Sequence, residues 1–167
     1  MTLDLEKLLV VANSLVSISQ KLPSNANPDR SGGILTIGLD NLSVRHVLEI
    51  GNYTPREKER YLRFSQEKAY RVCADWLRDQ DNTISSWQTR QPEIDRYGGA
   101  VLFSSCQEYC NIISFSGLNE FSDEALSLTL GYHLGFATNS EFAERVINIS
   151  KNIVFKEMYK IFSEQNI

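Results

Sequence analysis

Scarcity defines much of this 167-residue chain: three cysteines, two histidines, and no apolar run of membrane-spanning length. Cys73, Cys106 and Cys110 are an odd set without a repeated spacing, so they make no disulfide framework and point to a reducing, cytoplasmic compartment. Cys106 and Cys110 lie four residues apart, but a structural zinc site needs two further ligands, and no second cysteine pair exists. Buried free thiols are the expectation. The mildly apolar stretch 8–15 follows Asp4 and Glu6 and is broken by Asn13; it lacks the basic start and small-residue cleavage site of a signal peptide. Without an apolar run of about 20 residues, no membrane partner is expected. An excess of positive charge is missing too. The net charge is −4 and the pI is near 5.2, which gives no general attraction to nucleic acid or anionic lipid. No HExxH, GxSxG, Walker A or GxGxxG pattern occurs, and Ser114 and Ser116 have no histidine linked to them by motif, so nothing here argues for an enzyme.

What is present reads as one globular domain over residues 1–167. The composition is 42% hydrophobic and 23% charged, ample for a buried core and too apolar for a disordered chain. Leu5, Leu8, Leu9, Ala12, Leu15 and Val16 recur at helical spacing and predict a first helix over 3–20. A breaker-rich loop from Pro23 to Gly33 follows. Residues 34–39 and 43–50 then read as a hairpin turning at Asp40 and Asn41. Thr54-Pro55-Arg56-Glu57 is a capping box with proline at the first helical position. It predicts a helix to Arg78 with Leu62, Ser65, Ala69, Val72, Cys73, Trp76 and Leu77 along one side. Its basic residues alternate with glutamates, the pattern of a solvated, ion-paired helix face. Residues 79–96 read as a long polar loop with one short turn of helix.

The stretch 97–136 is the densest in signals. Gly98-Gly99 opens a second hairpin over 100–104 and 109–116, in which Ile113 and Phe115 share one face and Ile112, Ser114 and Ser116 the other. A strand ending at Ser116-Gly117 and a helix headed by Ser122, Asp123 and Glu124 would leave amide donors at one sheet edge, open to capping side chains or to a ligand. Thr138-Asn139-Ser140-Glu141 reads as a further capping box, opening one long terminal helix to Ser163. Three of these patterns resemble the GlcG/HbpS-like (haem-degrading domain) family: Phe64-Ser65-Gln66-Glu67-Lys68-Ala69-Tyr70, Tyr97-Gly98-Gly99-Ala100-Val101, and Ile113-Ser114-Phe115-Ser116-Gly117-Leu118 followed by Asp123-Glu124-Ala125-Leu126. The likeness spans 3–136. It implies a profilin-like α+β fold, a central antiparallel sheet flanked by helices, with residues 137–167 as an added C-terminal helical extension. It also implies haem or corrinoid as the cofactor class. Two departures stand against that: Glu67 replaces the first of the family's basic pair, leaving Lys68, and Phe115 precedes the Ser-Gly corner where a small or aliphatic residue is usual.

Two functional expectations follow. One is a non-enzymatic small-ligand-binding domain whose site comprises Lys68, Gly98, Gly99, Ser116 and Gly117. The other is an assembly module, a homo-oligomer formed through the wide apolar stripe of the terminal helix. His133, late in a helix among Leu130, Leu134 and Phe136, is the candidate metal ligand, with its cation favoured by the negative helix end. Lys68 on a charged helix reads as an exposed ion pair, so its removal should change stability little, whereas Gly117→Val should damage folding.

Overall fold

The first turn of the helix after Thr54 forms as its residues dictate. The Thr54 amide donates to Glu57 Oε2 (2.8 Å), and the Glu57 amide donates to Thr54 Oγ1 (3.3 Å). In the computed structural model, which describes residues 3–24, 27–78, 82–104 and 109–165, this is helix α2, Pro55–Arg78. Before it come α1 (Leu5–Lys21), β1 (Ser31–Leu39) and β2 (Val44–Asn52). After it come β3 (Ala100–Ser104), β4 (Cys110–Ser116), α3 (Glu120–His133), α4 (Ser140–Ser150) and α5 (Val154–Glu164). The four strands form one antiparallel sheet in the order β2-β1-β4-β3. The expected α+β architecture is therefore present. The turn expected at 105–108 lies outside the described residues, as does Cys106.

Alternation along the strands splits the core into two layers. Leu35, Ile37, Val101, Phe103, Ile113 and Phe115 face α1 and α3. Leu102, Cys110 and Ile112 face Ala69, Val72, Cys73 and Trp76 of α2. The buried side of α2 takes in the expected Ser65, Ala69, Val72, Cys73 and Trp76 and also Tyr61, Phe64 and Lys68, while Leu77 is exposed. Cys73 and Cys110 are buried free thiols with sulfurs 3.9 Å apart.

Helix α3 is buried almost all round, from Ser122 to Gly131. It lies between the sheet and α5, which also packs on α1. The acidic start expected at a helix head thus sits inside the protein, and Asn119, not Ser122, caps the helix by accepting from the Ser122 amide (2.9 Å). The terminal extension is helical but is not one helix. Lys151 turns left-handed at φ +60°, ending α4, and Asn152 Oδ1 accepts from the Val154 and Phe155 amides to start α5. Asn152 is held there because its Nδ2 donates to Phe121 O (2.8 Å) and to Glu124 Oε1 (3.1 Å). The cap of α4 is Asn139, one residue later than the expected Thr138. Of the extension's apolar residues, Ala143, Val146, Val154, Phe155, Met158 and Phe162 are buried within the chain's own core, whereas Ile153 and Tyr159 of the same stripe are exposed.

The long connection 79–96 carries two short 3-10 turns, Ser86–Thr89 and Pro92–Ile94. Arg71 ties it to α2: its guanidinium donates to the carbonyls of Ser86 (3.0 Å), Thr89 (3.1 Å) and Tyr97 (2.9 Å) and pairs with Glu67. Among the described residues no helix is long and apolar enough to cross a membrane.

Candidate functional site

Three elements meet at the end of β4: the middle of α2, the turn into β3, and the loop into α3. Their junction is held by a buried ion pair. Lys68, 1% exposed, donates from Nζ to Phe115 O (2.6 Å), Gly98 O (3.0 Å) and Asp123 Oδ2 (3.1 Å). An ammonium has three donors, and all three are used. Asp123 Oδ1 accepts from the Leu118 amide (2.9 Å), so the carboxylate also closes the loop after the Ser116-Gly117 corner. Burial pushes the Asp123 carboxyl above the usual carboxylate range, against the pull of Lys68. Lys68 is thus no solvated helix cation. Helical spacing carries it inward, three and four residues after Ser65 and Phe64.

The glycines answer to this packing. Gly99 has φ +118°, and a Cβ there would lie 2.6 Å from Asp123 Cβ and 2.9 Å from Lys68 Nζ. Gly117 (φ +156°) crosses β1 so closely that a Cβ would sit 2.5 Å from Gly33 Cα, with Gly32 O nearer still. Both positions therefore require glycine for space and for backbone angle.

Outside the ion pair, the corner opens into a pocket of about 240 Å³. Tyr61, Phe64, Tyr97 and Leu118 supply apolar walls, and Arg30 and Arg60 lie at its margin. Phe64 meets Tyr97 edge to face with centroids 4.9 Å apart, and the Arg60 guanidinium lies 5.4 Å from the Phe64 ring centre. Ser116, 5% exposed, is also in the lining. Neither Arg30 nor Arg60 forms an ion pair among the described residues; Arg30 donates to Leu118 O. Glu120, also in the lining, is neutralised by Arg90 (2.8 Å) and accepts from the Gly98 amide (2.8 Å). These partners hold its carboxyl below the usual range in spite of burial.

Of the residues expected to form a site, Lys68, Ser116 and Gly117 line this pocket, while Gly98 and Gly99 stand behind it as acceptor and spacer for Lys68. The amide donors expected to be open to a ligand are closed: Asp123 takes that of Leu118, Asn119 that of Ser122, and Glu120 that of Gly98. Arg30, Arg60, Tyr61, Phe64 and Tyr97 were not anticipated. The stripe Tyr61, Phe64, Lys68 at i, i+3, i+7 was a readable signal for one buried helix side; nothing local marks Arg30, which comes from the loop before β1. His133 is elsewhere, against the Phe162 ring at the far end of α3, and burial together with Lys7 lowers its pKa rather than favouring the cation. No group of three or more His, Cys, Asp or Glu suited to a metal ion occurs among the described residues.

The comparisons are silent. No family model, curated protein or solved structure matches the chain.

Proposed function

We propose that the protein is a non-enzymatic binding domain for a small organic anion, seated in the corner pocket. The supporting observation is the combination of two arginines without ion-pair partners among the described residues and Ser116 around aromatic walls. Guanidinium groups take a carboxylate or phosphate bidentately, the hydroxyl adds one directed hydrogen bond, and Tyr61, Phe64 and Tyr97 receive an apolar body. The Lys68–Asp123 pair underlies the pocket as its frame. A tetrapyrrole, the cofactor class implied by the family resemblance, carries propionate carboxylates and is the first ligand to try. The pocket lining contains no histidine to serve as an axial ligand, so any haem here would be held by its carboxylates and faces.

Titration calorimetry and absorbance spectra with haem, cobinamide, benzoate and phenyl phosphate test the reading. At least one probe should bind saturably, and Arg60→Gln and Arg30→Gln should each weaken it about tenfold or more, as expected for loss of a charge-assisted contact. A saturable Soret change would single out haem. The absence of binding by every probe, or binding that both arginine variants leave intact, would overturn the proposal.

A further inference from the structure

Strand β2 is an edge. It pairs with β1 over all nine residues, from Ser31↔Asn52 to Leu39↔Val44, and among the described residues no strand pairs its outer side. Helix α2 packs over β1, β4 and β3, which leaves the overlying face of β2 open to solvent: Val47, on that face, is 38% exposed. Long exposed edges invite pairing with another strand, and charge placement decides which partner fits.

The charges on this edge are self-complementary. A two-fold pairing of identical antiparallel strands has its axis perpendicular to the sheet, so each residue meets one that projects to the same face. Arg45, Val47 and Glu49 share a face, the one that carries α2, where Arg45 bonds Tyr70 and Glu49 bonds Lys58. Symmetry about Val47 sets Arg45 of each copy opposite Glu49 of the other, with Val47 against Val47 at the axis. On the opposite face the same register sets His46 against Leu48 and Val44 against Ile50, with no like charges paired. A shift by one same-face step puts Arg45 opposite Val47 or Gly51 and loses both ion pairs. One register alone satisfies both charges twice.

We propose that β2 is a homodimer interface, in which two copies join their sheets antiparallel about Val47 through reciprocal Arg45–Glu49 pairs. The eight-stranded sheet so formed leaves the α2 helices clear of the seam, since α2 lies over the inner strands of each copy. The proposal does not rest on the corner pocket. It also differs from association through the C-terminal helices, which would use a different surface of the chain.

Light scattering at about 100 µM, a concentration at which a micromolar dimer is saturated, should give twice the 19.0 kDa of the single chain. Arg45→Glu and Glu49→Arg should each raise the dissociation constant about tenfold or more, since each sets like charges opposite one another at two symmetric places. The double variant should restore the dimer. Val47→Lys, which brings two ammonium groups together on the axis, should give monomers, while circular dichroism melts confirm that each variant is folded. A monomeric wild type overturns the proposal, as does a dimer that survives Val47→Lys. Loss of the dimer in Val47→Lys together with indifference to both charge reversals would overturn the register.

Discussion

Replacing Lys68 by methionine removes one charge of an ion pair whose side chains are 1% and 5% exposed. The chain length is nearly kept, so packing loss is small and the electrostatic consequence stands alone. Asp123 is left with the Leu118 amide as its remaining hydrogen bond, and the carbonyls of Gly98 and Phe115 lose their shared donor. Breaking a buried pair from one side typically destabilises by about 3–5 kcal/mol, a large share of the roughly 5–15 kcal/mol that holds a domain folded. At about 2–4 °C per kcal/mol for a chain of this size, the melting temperature should fall by roughly 6–20 °C. The loss should also depend on pH. With Lys68 gone, the folded-state pKa of Asp123, already raised by burial, rises further above its unfolded value. The folded variant then binds a proton that the unfolded chain does not, so its stability falls as pH rises between those two values. The deficit relative to wild type is therefore largest at neutral pH and above, and narrows on acidification. Calorimetric melts of both proteins from pH 4 to pH 8 measure this directly. A variant melting within about 2 °C of wild type at pH 7, less than 1 kcal/mol would produce, would refute the buried, three-acceptor role of this lysine.

Gly117→Val should prevent folding or cost well over the 1–3 kcal/mol of backbone strain alone, because its Cβ would meet the backbone of Gly32 and Gly33. Gly135→Ala is the control: it has φ +74° and nothing within 4 Å of its Cβ, so only a backbone penalty of about 1 kcal/mol is expected in urea titrations. Glu124 is buried with Ser85, Ser150 and Asn152 as hydrogen-bond donors, and burial pushes its carboxyl up to about 7. Its folded pKa exceeds the unfolded one, so wild-type stability from this group falls as pH rises from about 4.5 to 7, by on the order of 3 kcal/mol. Glu124→Gln should remove that slope and be no less stable than wild type at pH 8; an unchanged pH profile in denaturant melts would refute it.

Much of this molecule could be read locally. The Thr54–Glu57 box, the end of α2 at Arg78, the two hairpins and the face assignment of β4 depend on near neighbours and on a period of two, and such signals survive in any tertiary context. The Ser116-Gly117 corner was legible for the same reason, since a glycine between a strand and a helix cap marks a close backbone passage. Burial of polar residues was not legible. Lys68, Asp123 and Glu124 look like a charged helix face and an acidic helix start, and each is inside because its partner lies 26 to 55 positions away in sequence. The break at Lys151 has the same origin: an uninterrupted helical pattern is divided because Asn152 bonds Phe121 and Glu124 on another helix. Arg30 and Arg60 face one pocket only because β1 and α2 are adjacent in space. Short-range propensity determines where elements start, stop and turn their apolar sides. Which polar groups are buried, and which charges are left to face a ligand or a second copy, is a property of distant residues brought together, and the folded chain alone decides it.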